Sequence, residues 1–249
     1  MKILFISLGC DKNLADSEEM LGLLTGSGHE IVDSEEEAEA IVINTCCFIH
    51  DAKEESVNTI LEMAEYKKTG KCKALVVTGC MAQRYKEEIT QEIPEVDAVL
   101  GTTSYGDIVK ALNEVQAGHV FQEFRDINEL PEDSGRRVLT TGGHFGYLKI
   151  AEGCDKHCTY CIIPSLRGSF RSVPEERLLA QAEYMASQGV KELILVAQET
   201  TVYGTDLYGR KTLHILLKKL CQIRGIRWIR VLYCYPEEIY DELIQVMKE

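Results

Sequence analysis

Apolar residues in the first half of the chain come in short blocks: residues 2–9, 40–45, 74–79 and 97–100 are runs rich in Val, Ile and Leu. Between them lie longer polar stretches, 14–25, 51–68, 82–92 and 104–115, whose apolar residues recur at helical spacing. A continuous apolar run of strand length fits a strand buried on both faces. Its alternation with helices of this length predicts βαβ units and a parallel sheet. A minor strand, "HEIVD", begins at His29. Residues 1–116 therefore read as one doubly wound α/β domain.

Residues 117–146 lose this periodicity and collect Pro, Gly and charge, the composition of a linker. Alternation then resumes. "YLKIA" (147–151) is followed by the helical pattern 175–188, "ELILVA" (192–197) by 211–223, and "WIRVLY" (228–233) by 237–248. Three βα units over 147–249 predict the first half of a barrel, whose chemistry sits at the C-terminal ends of its strands.

Composition sets limits on partners. The 45% hydrophobic and 27% charged residues are those of a globular chain that buries a core. No apolar run approaches the ~18 residues of a membrane helix. The opening "MKILFISLGC" turns polar too quickly for a signal peptide, so a cytoplasmic protein without membrane contact is expected. With a net charge of −13, the segment lacks the basic footprint of nucleic-acid binding. A basic protein is the easier partner for such a field.

Ten cysteines change the picture. In a reducing compartment they point toward metal binding or catalysis rather than disulfides. Three of the apolar runs finish on a thiol: "ILFISLGC" on Cys10, "AIVINTC" on Cys46 and "ALVVTGC" on Cys80. In a parallel sheet the strands share a direction, so these thiols fall on one carboxyl rim, where ligands bind. A single strand-end cysteine reads as packing, but three at equivalent positions do not. Cys47, Cys72, Cys221 and Cys234 keep the packing reading. Neither GxGxxG nor GxxxxGK[ST] is present, which leaves a nucleotide on that rim without local support.

Directly after the strand at 147–151 comes "EGCDKHCTYCIIPSLRG", in which Cys154, Cys158 and Cys161 form C-x3-C-x2-C. Protein iron–sulfur clusters usually take four thiolates. Three close thiolates hold three irons of a cubic cluster and leave the fourth open for substrate or cofactor. Two plainer readings compete: Cys158 and Cys161 as a redox CxxC pair, or His157 joining the cysteines on zinc. Position and count favour iron–sulfur.

C-x3-C-x2-C after the first barrel strand, preceded by an α/β domain with three strand-end cysteines, resembles the radical S-adenosylmethionine methylthiotransferases. "SLGCDKNLADSE", "NTCCFIHDAKEES", "AEGCDKHCTYCIIPSLRGSFRS" and "AQETTVYGTDLYG" are similar to the branch that modifies an aspartate of protein twelve of the small ribosomal subunit. The resemblance implies a transferase with two 4Fe–4S clusters, one on Cys154, Cys158 and Cys161 and one on Cys10, Cys46 and Cys80. The first would chelate S-adenosylmethionine and split it by one electron. The resulting radical would take a hydrogen from the aspartate β-carbon, where a methylthio group follows. Tyr160, Ile162 and Pro164 would line the adenine pocket, and Gln198 and Glu199 would meet the methionyl amino group. Tyr160 also reads as an ordinary packed aromatic. Arg167 and Arg171 read either as carboxylate partners or as a solvated face, and the second reading is preferred.

Two departures stand out. "SVP" follows Arg171 where relatives often carry a further arginine, and the family continues through more βα units and a small β-domain. The barrel is thus expected to be incomplete and this stretch alone inactive. The alternatives are a transfer-RNA methylthiotransferase and a non-catalytic iron–sulfur scaffold or sensor. The electron donor and sulfur source stay unidentified.

Overall fold

The computed structural model describes residues 1–132, 135 and 137–249. It divides into two compact units, Met1–Val138 with Thr159–Arg167, and Leu139–Cys158 with Gly168–Glu249. Residues 133, 134 and 136 of the expected linker lie outside the described residues. Among those described, no helix is long and apolar enough to cross a membrane.

The first unit alternates strand and helix: β1 (Lys2–Ser7), α1 (Asp11–Gly26), β2 (Glu30–Val32), β3 (Ala40–Thr45), α2 (His50–Thr69), β4 (Ala74–Gly79), α3 (Cys80–Glu92), β5 (Ala98–Leu100), α4 (Ile108–Gln116) and β6 (Phe121–Glu123). The strands form one parallel sheet in the order β2-β1-β3-β4-β5-β6. Every residue of β3 and β4 is buried, which explains their unbroken apolar runs. The period of two then divides their side chains between the two faces. Ile41, Ile43, Leu75 and Val77 pack with Ile60 and Met63 of α2 and Ile89 of α3. Val42 and Val76 pack with Met20 and Leu24 of α1 and Ile108 and Leu112 of α4. Each such aliphatic side chain, fully buried, stabilises by roughly 1.5–3 kcal/mol relative to exposure.

From β1 the order runs to β2 on one side and to β3 on the other. The carboxyl ends of β1 and β3 therefore flank a topological switch point, the crevice where open α/β sheets bind ligands. One expectation shifts here. β6, within the stretch read as linker, pairs with β5 at the sheet edge, Ala98 opposite Phe121. Three residues are too few to show a period.

In the second unit, β7 (Phe145–Lys149) is followed by β8 (Ala151–Glu152), and the chain leaves through α5 (Ile163–Arg167), which belongs to the first unit. It returns with β9 (Arg171–Ser172), α6 (Glu175–Ser187), β10 (Glu192–Val196), α7 (Thr205–Tyr208), α8 (Leu213–Leu220), β11 (Trp228–Val231) and α9 (Asp241–Lys248). β7, β10 and β11 form a parallel sheet in chain order, as the opening strands of a barrel do. The strand expected at 147–151 starts two residues earlier and divides at Ile150. That residue's amide still bonds Val196 O of the main sheet (2.9 Å), while its carbonyl accepts from Val173 N at 2.9 Å, beside the antiparallel β8–β9 pair.

Candidate functional site

Each of the first three strand-end cysteines follows its strand by a different route. Cys10 lies three residues beyond β1, is exposed, and occupies the N-cap of α1, its carbonyl accepting from Leu14 N at 3.0 Å. Cys46 follows β3 directly, and Cys80 is the first residue of α3; both are buried. Helix N-termini leave backbone N–H groups unpaired and favour a neighbouring thiolate.

Glycines permit this convergence. Gly9 has φ +90°, and a Cβ there would lie 2.7 Å from Cys46 Cβ. Gly79 has φ +92°, and its Cβ would lie 2.5 Å from the Thr45 carbonyl oxygen. L side chains rarely adopt that backbone, so the chain turns into Cys10 and into Cys80 only through glycine.

Asn13 ties the rim together. Its Nδ2 donates to Leu8 O (3.1 Å) and Thr45 O (2.9 Å), linking the ends of β1 and β3. Its Oδ1 accepts from Arg167 Nη2 at 2.5 Å and lies 3.8 Å from Cys80 Sγ. Arg167 Nη1 donates to Asp16 Oδ2 at 2.8 Å, and both side chains are buried. The preferred solvated-face reading of Arg167 is thereby corrected, because its charge is matched by a carboxylate on α1. Burial pushes the Cys80 thiol up, opposed by the Arg167 guanidinium, with the Cys46 and Cys10 sulfurs close enough to add to the rise. Burial also pushes Cys47 up, to about 11. Cys47 sits in the apolar cluster with Ile60 and Met63.

The C-x3-C-x2-C cysteines are distributed differently. Cys154 is buried in the second unit, its amide bonded to Gly168 O at 3.0 Å; Cys158 Sγ lies 4.0 Å from the Tyr235 hydroxyl. Cys161 belongs to the segment Thr159–Arg167 of the first unit. In that segment Tyr160 is 84% exposed, Ile162 packs against the first unit's core and Pro164 lies in α5. Among the described residues, no three His, Cys, Asp or Glu side chains converge as a metal-holding set.

Within the second unit, a cavity of about 240 Å³ is lined by Cys154, Lys156, Phe170, Glu199, Val202, Lys211 and Glu238, among others. Glu199 is 2% exposed. Its Oε1 accepts from the Thr201 hydroxyl, whereas its Oε2 is buried with no hydrogen-bond partner. Gln198 Oε1 is likewise buried and unpartnered. Glu238 is held by Lys156 (2.8 Å) and Lys211 (2.9 Å), and these cations keep its carboxyl below the usual range.

Asn13, Asp16, Lys156, Lys211 and Glu238 escaped sequence reasoning. A signal existed for the first two: in "CDKNLAD" they stand three apart in a helix directly after Cys10, hence on one face. No comparable spacing marks Glu238.

Comparison with known proteins adds the following. Residues 2–101 match the model described as uncharacterized protein family UPF0004, and residues 148–249 match the radical SAM superfamily. The chain is 66% identical over 248 residues to "Ribosomal protein uS12 methylthiotransferase RimO" of Lachnoclostridium phytofermentans, covering 100% of this chain and 56% of that protein. It is 50% identical over 249 residues to the protein of the same name in Clostridioides difficile, again covering 56% of it. The chain thus spans about half the length of these curated relatives. Among solved structures, the radical S-adenosylmethionine methyltransferase TsrM of Kitasatospora setae, with cobalamin and a [4Fe-4S] cluster bound, aligns with a TM-score of 0.61 at 12% identity. That alignment covers 99% of this chain and 56% of TsrM and speaks for fold alone. With a six-stranded parallel α/β sheet, a radical SAM region and close relatives along its whole length, the chain belongs to the radical S-adenosylmethionine methylthiotransferase family.

Proposed function

We propose that the whole protein is a methylthiotransferase that uses S-adenosylmethionine and two 4Fe–4S clusters to modify an aspartate β-carbon of ribosomal protein uS12, in the cytoplasm. The observation that carries this reading is the coexistence of two cysteine groups in one chain: strand-end Cys10, Cys46 and Cys80, and the loop cysteines Cys154, Cys158 and Cys161. Relatives named uS12 methylthiotransferases support the substrate.

The residues present fit the groups the family implies. All six sulfurs are free thiols, the donor type iron–sulfur clusters take. A buried carboxylate oxygen without a partner is costly unless a ligand satisfies it, and Glu199 Oε2 is such an atom in the cavity that Cys154 lines. When bound, an iron–sulfur cluster and S-adenosylmethionine would supply the one-electron chemistry that side chains cannot.

The chain's own residues bind, orient and shield. Cys154, Cys158 and Cys161 hold one cluster, and Cys10, Cys46 and Cys80 the other. Glu199 Oε2 accepts from the methionyl ammonium, with Gln198 Oε1 as a second acceptor for that group. Phe170 and Val202 give the cavity apolar walls that exclude water.

The test is product analysis. The reconstituted full-length protein, given S-adenosylmethionine, reductant and a uS12 peptide without oxygen, is expected to yield methylthioaspartate by mass spectrometry. Cleavage of S-adenosylmethionine with the peptide unmodified would reject the substrate; no cleavage at all would reject the reaction.

A further inference from the structure

The buried ion pair between Arg167 and Asp16 calls for a reason beyond stability. Both side chains are almost wholly buried, 3% and 4% exposed. Removing two charges from water costs more than their attraction commonly returns, and an apolar pair of the same volume is often as stable. What the pair provides is a fixed guanidinium beside sulfur. Its Nη1 donates to Asp16 Oδ2 (2.8 Å) and its Nη2 to Asn13 Oδ1 (2.5 Å), the same oxygen that lies 3.8 Å from Cys80 Sγ. Asn13, gripped by Arg167, is the same side chain that links the Leu8 and Thr45 carbonyls next to Cys10 and Cys46.

We infer that Arg167 is a positioning residue of the N-terminal cluster, directing an N–H to the Cys80 sulfur and supplying the cation that sets how readily that cluster accepts an electron. Net charge and hydrogen bonds to sulfur are the levers that set such potentials. The inference rests on the proposed ligation by Cys10, Cys46 and Cys80. It gives Arg167, six residues past Cys161, a role toward the other thiol group.

The test uses the full-length protein with Cys154, Cys158 and Cys161 changed to alanine, so that bound iron belongs to the N-terminal thiols. With ¹⁵N-arginine incorporated, pulsed electron paramagnetic resonance of the reduced cluster is expected to show a weak arginine-nitrogen coupling. Arg167→Lys should abolish it. Arg167→Gln combined with Asp16→Asn, which leaves no unpaired buried charge, should lower the reduced-to-oxidised ratio at fixed potential by about tenfold, or about 59 mV for one electron. Arg167→Lys, which keeps the charge, should fall between. Bound iron without arginine coupling, or equal potentials in all three proteins, would overturn this inference alone. The labelled protein tests it even where a variant fails to fold. Absence of iron from the parent protein would overturn the ligand assignment beneath it.

Discussion

The Ser56 hydroxyl grips the Cys46 peptide: it accepts from the Cys46 amide at 3.0 Å and lies 2.8 Å from the Cys46 carbonyl oxygen. One proton is shared between that carbonyl and Ala52 O at 2.9 Å, so α2 fixes the backbone leaving β3. Ser56→Ala orphans a buried amide, at a cost of about 1–3 kcal/mol. Urea unfolding of the variant should show that loss, and a chelator should strip its iron faster.

Cys46 and Cys47 should behave oppositely. Adjacent residues of an extended chain point to opposite sides, and Cys47 is already taken up by the apolar cluster with Ile60. Iron content and the visible spectrum should survive Cys47→Ala and not Cys46→Ala. The reverse would assign the ligand to the neighbouring position.

Gly79→Ala tests the turn into Cys80. An added Cβ would meet the Thr45 carbonyl oxygen at 2.5 Å, in a backbone with φ +92°. Strain at such a conformation alone costs about 1–3 kcal/mol, and here the clash is with backbone that no rotamer relieves. Thermal unfolding is expected several degrees lower, with iron binding impaired; an unshifted midpoint would show that the strand ends are slack.

Iron counting separates the two cysteine groups. Two cubic clusters predict about eight irons per full-length chain after anaerobic reconstitution. Replacing Cys154, Cys158 and Cys161 together should leave about half of them. An unchanged count, or none, would contradict two independent clusters.

Thiol reactivity offers a pH-dependent check. Burial pushes the Cys72 thiol above the usual range for cysteine, while Cys221 is exposed. The thiolate reacts, so at pH 8 an alkylating agent should label Cys221 and spare Cys72 until denaturant is added. Above pH 9 the unfolded chain releases the Cys72 proton before the folded one does. Its stabilising contribution is therefore whole below that pH and declines as pH rises through the folded value.

What could be read from the chain follows from what period and spacing encode. β3 and β4 were legible because burial on both faces leaves unbroken apolar runs, and Cys46 and Cys80 because each thiol directly follows such a run. β6 was not legible, since Phe121–Glu123 is a strand only by pairing with β5. Arg167 looks the same in sequence whether solvated or buried; Asp16, 151 residues away, decides between them. Glu199 stood out as a polar residue after an apolar strand, but Glu238 draws its role from Lys156 and Lys211, distant in sequence.

The stretch Asp16–Glu19 of α1 is polar and yet wholly inside. Asp16 holds Arg167, Ser17 meets Ser7 Oγ and Asn44 Nδ2, Glu18 pairs with Arg137, and Glu19 accepts from the Tyr105 hydroxyl at 2.9 Å. Four successive positions are each committed to a different, far-off segment. Such a helix resists evolutionary drift: a change at any one of them strands a partner that only a second, matching change can satisfy. Substitutions here should accumulate in compensating pairs or not at all, so that a helix with the composition of a tolerant surface is among the least evolvable parts of the protein.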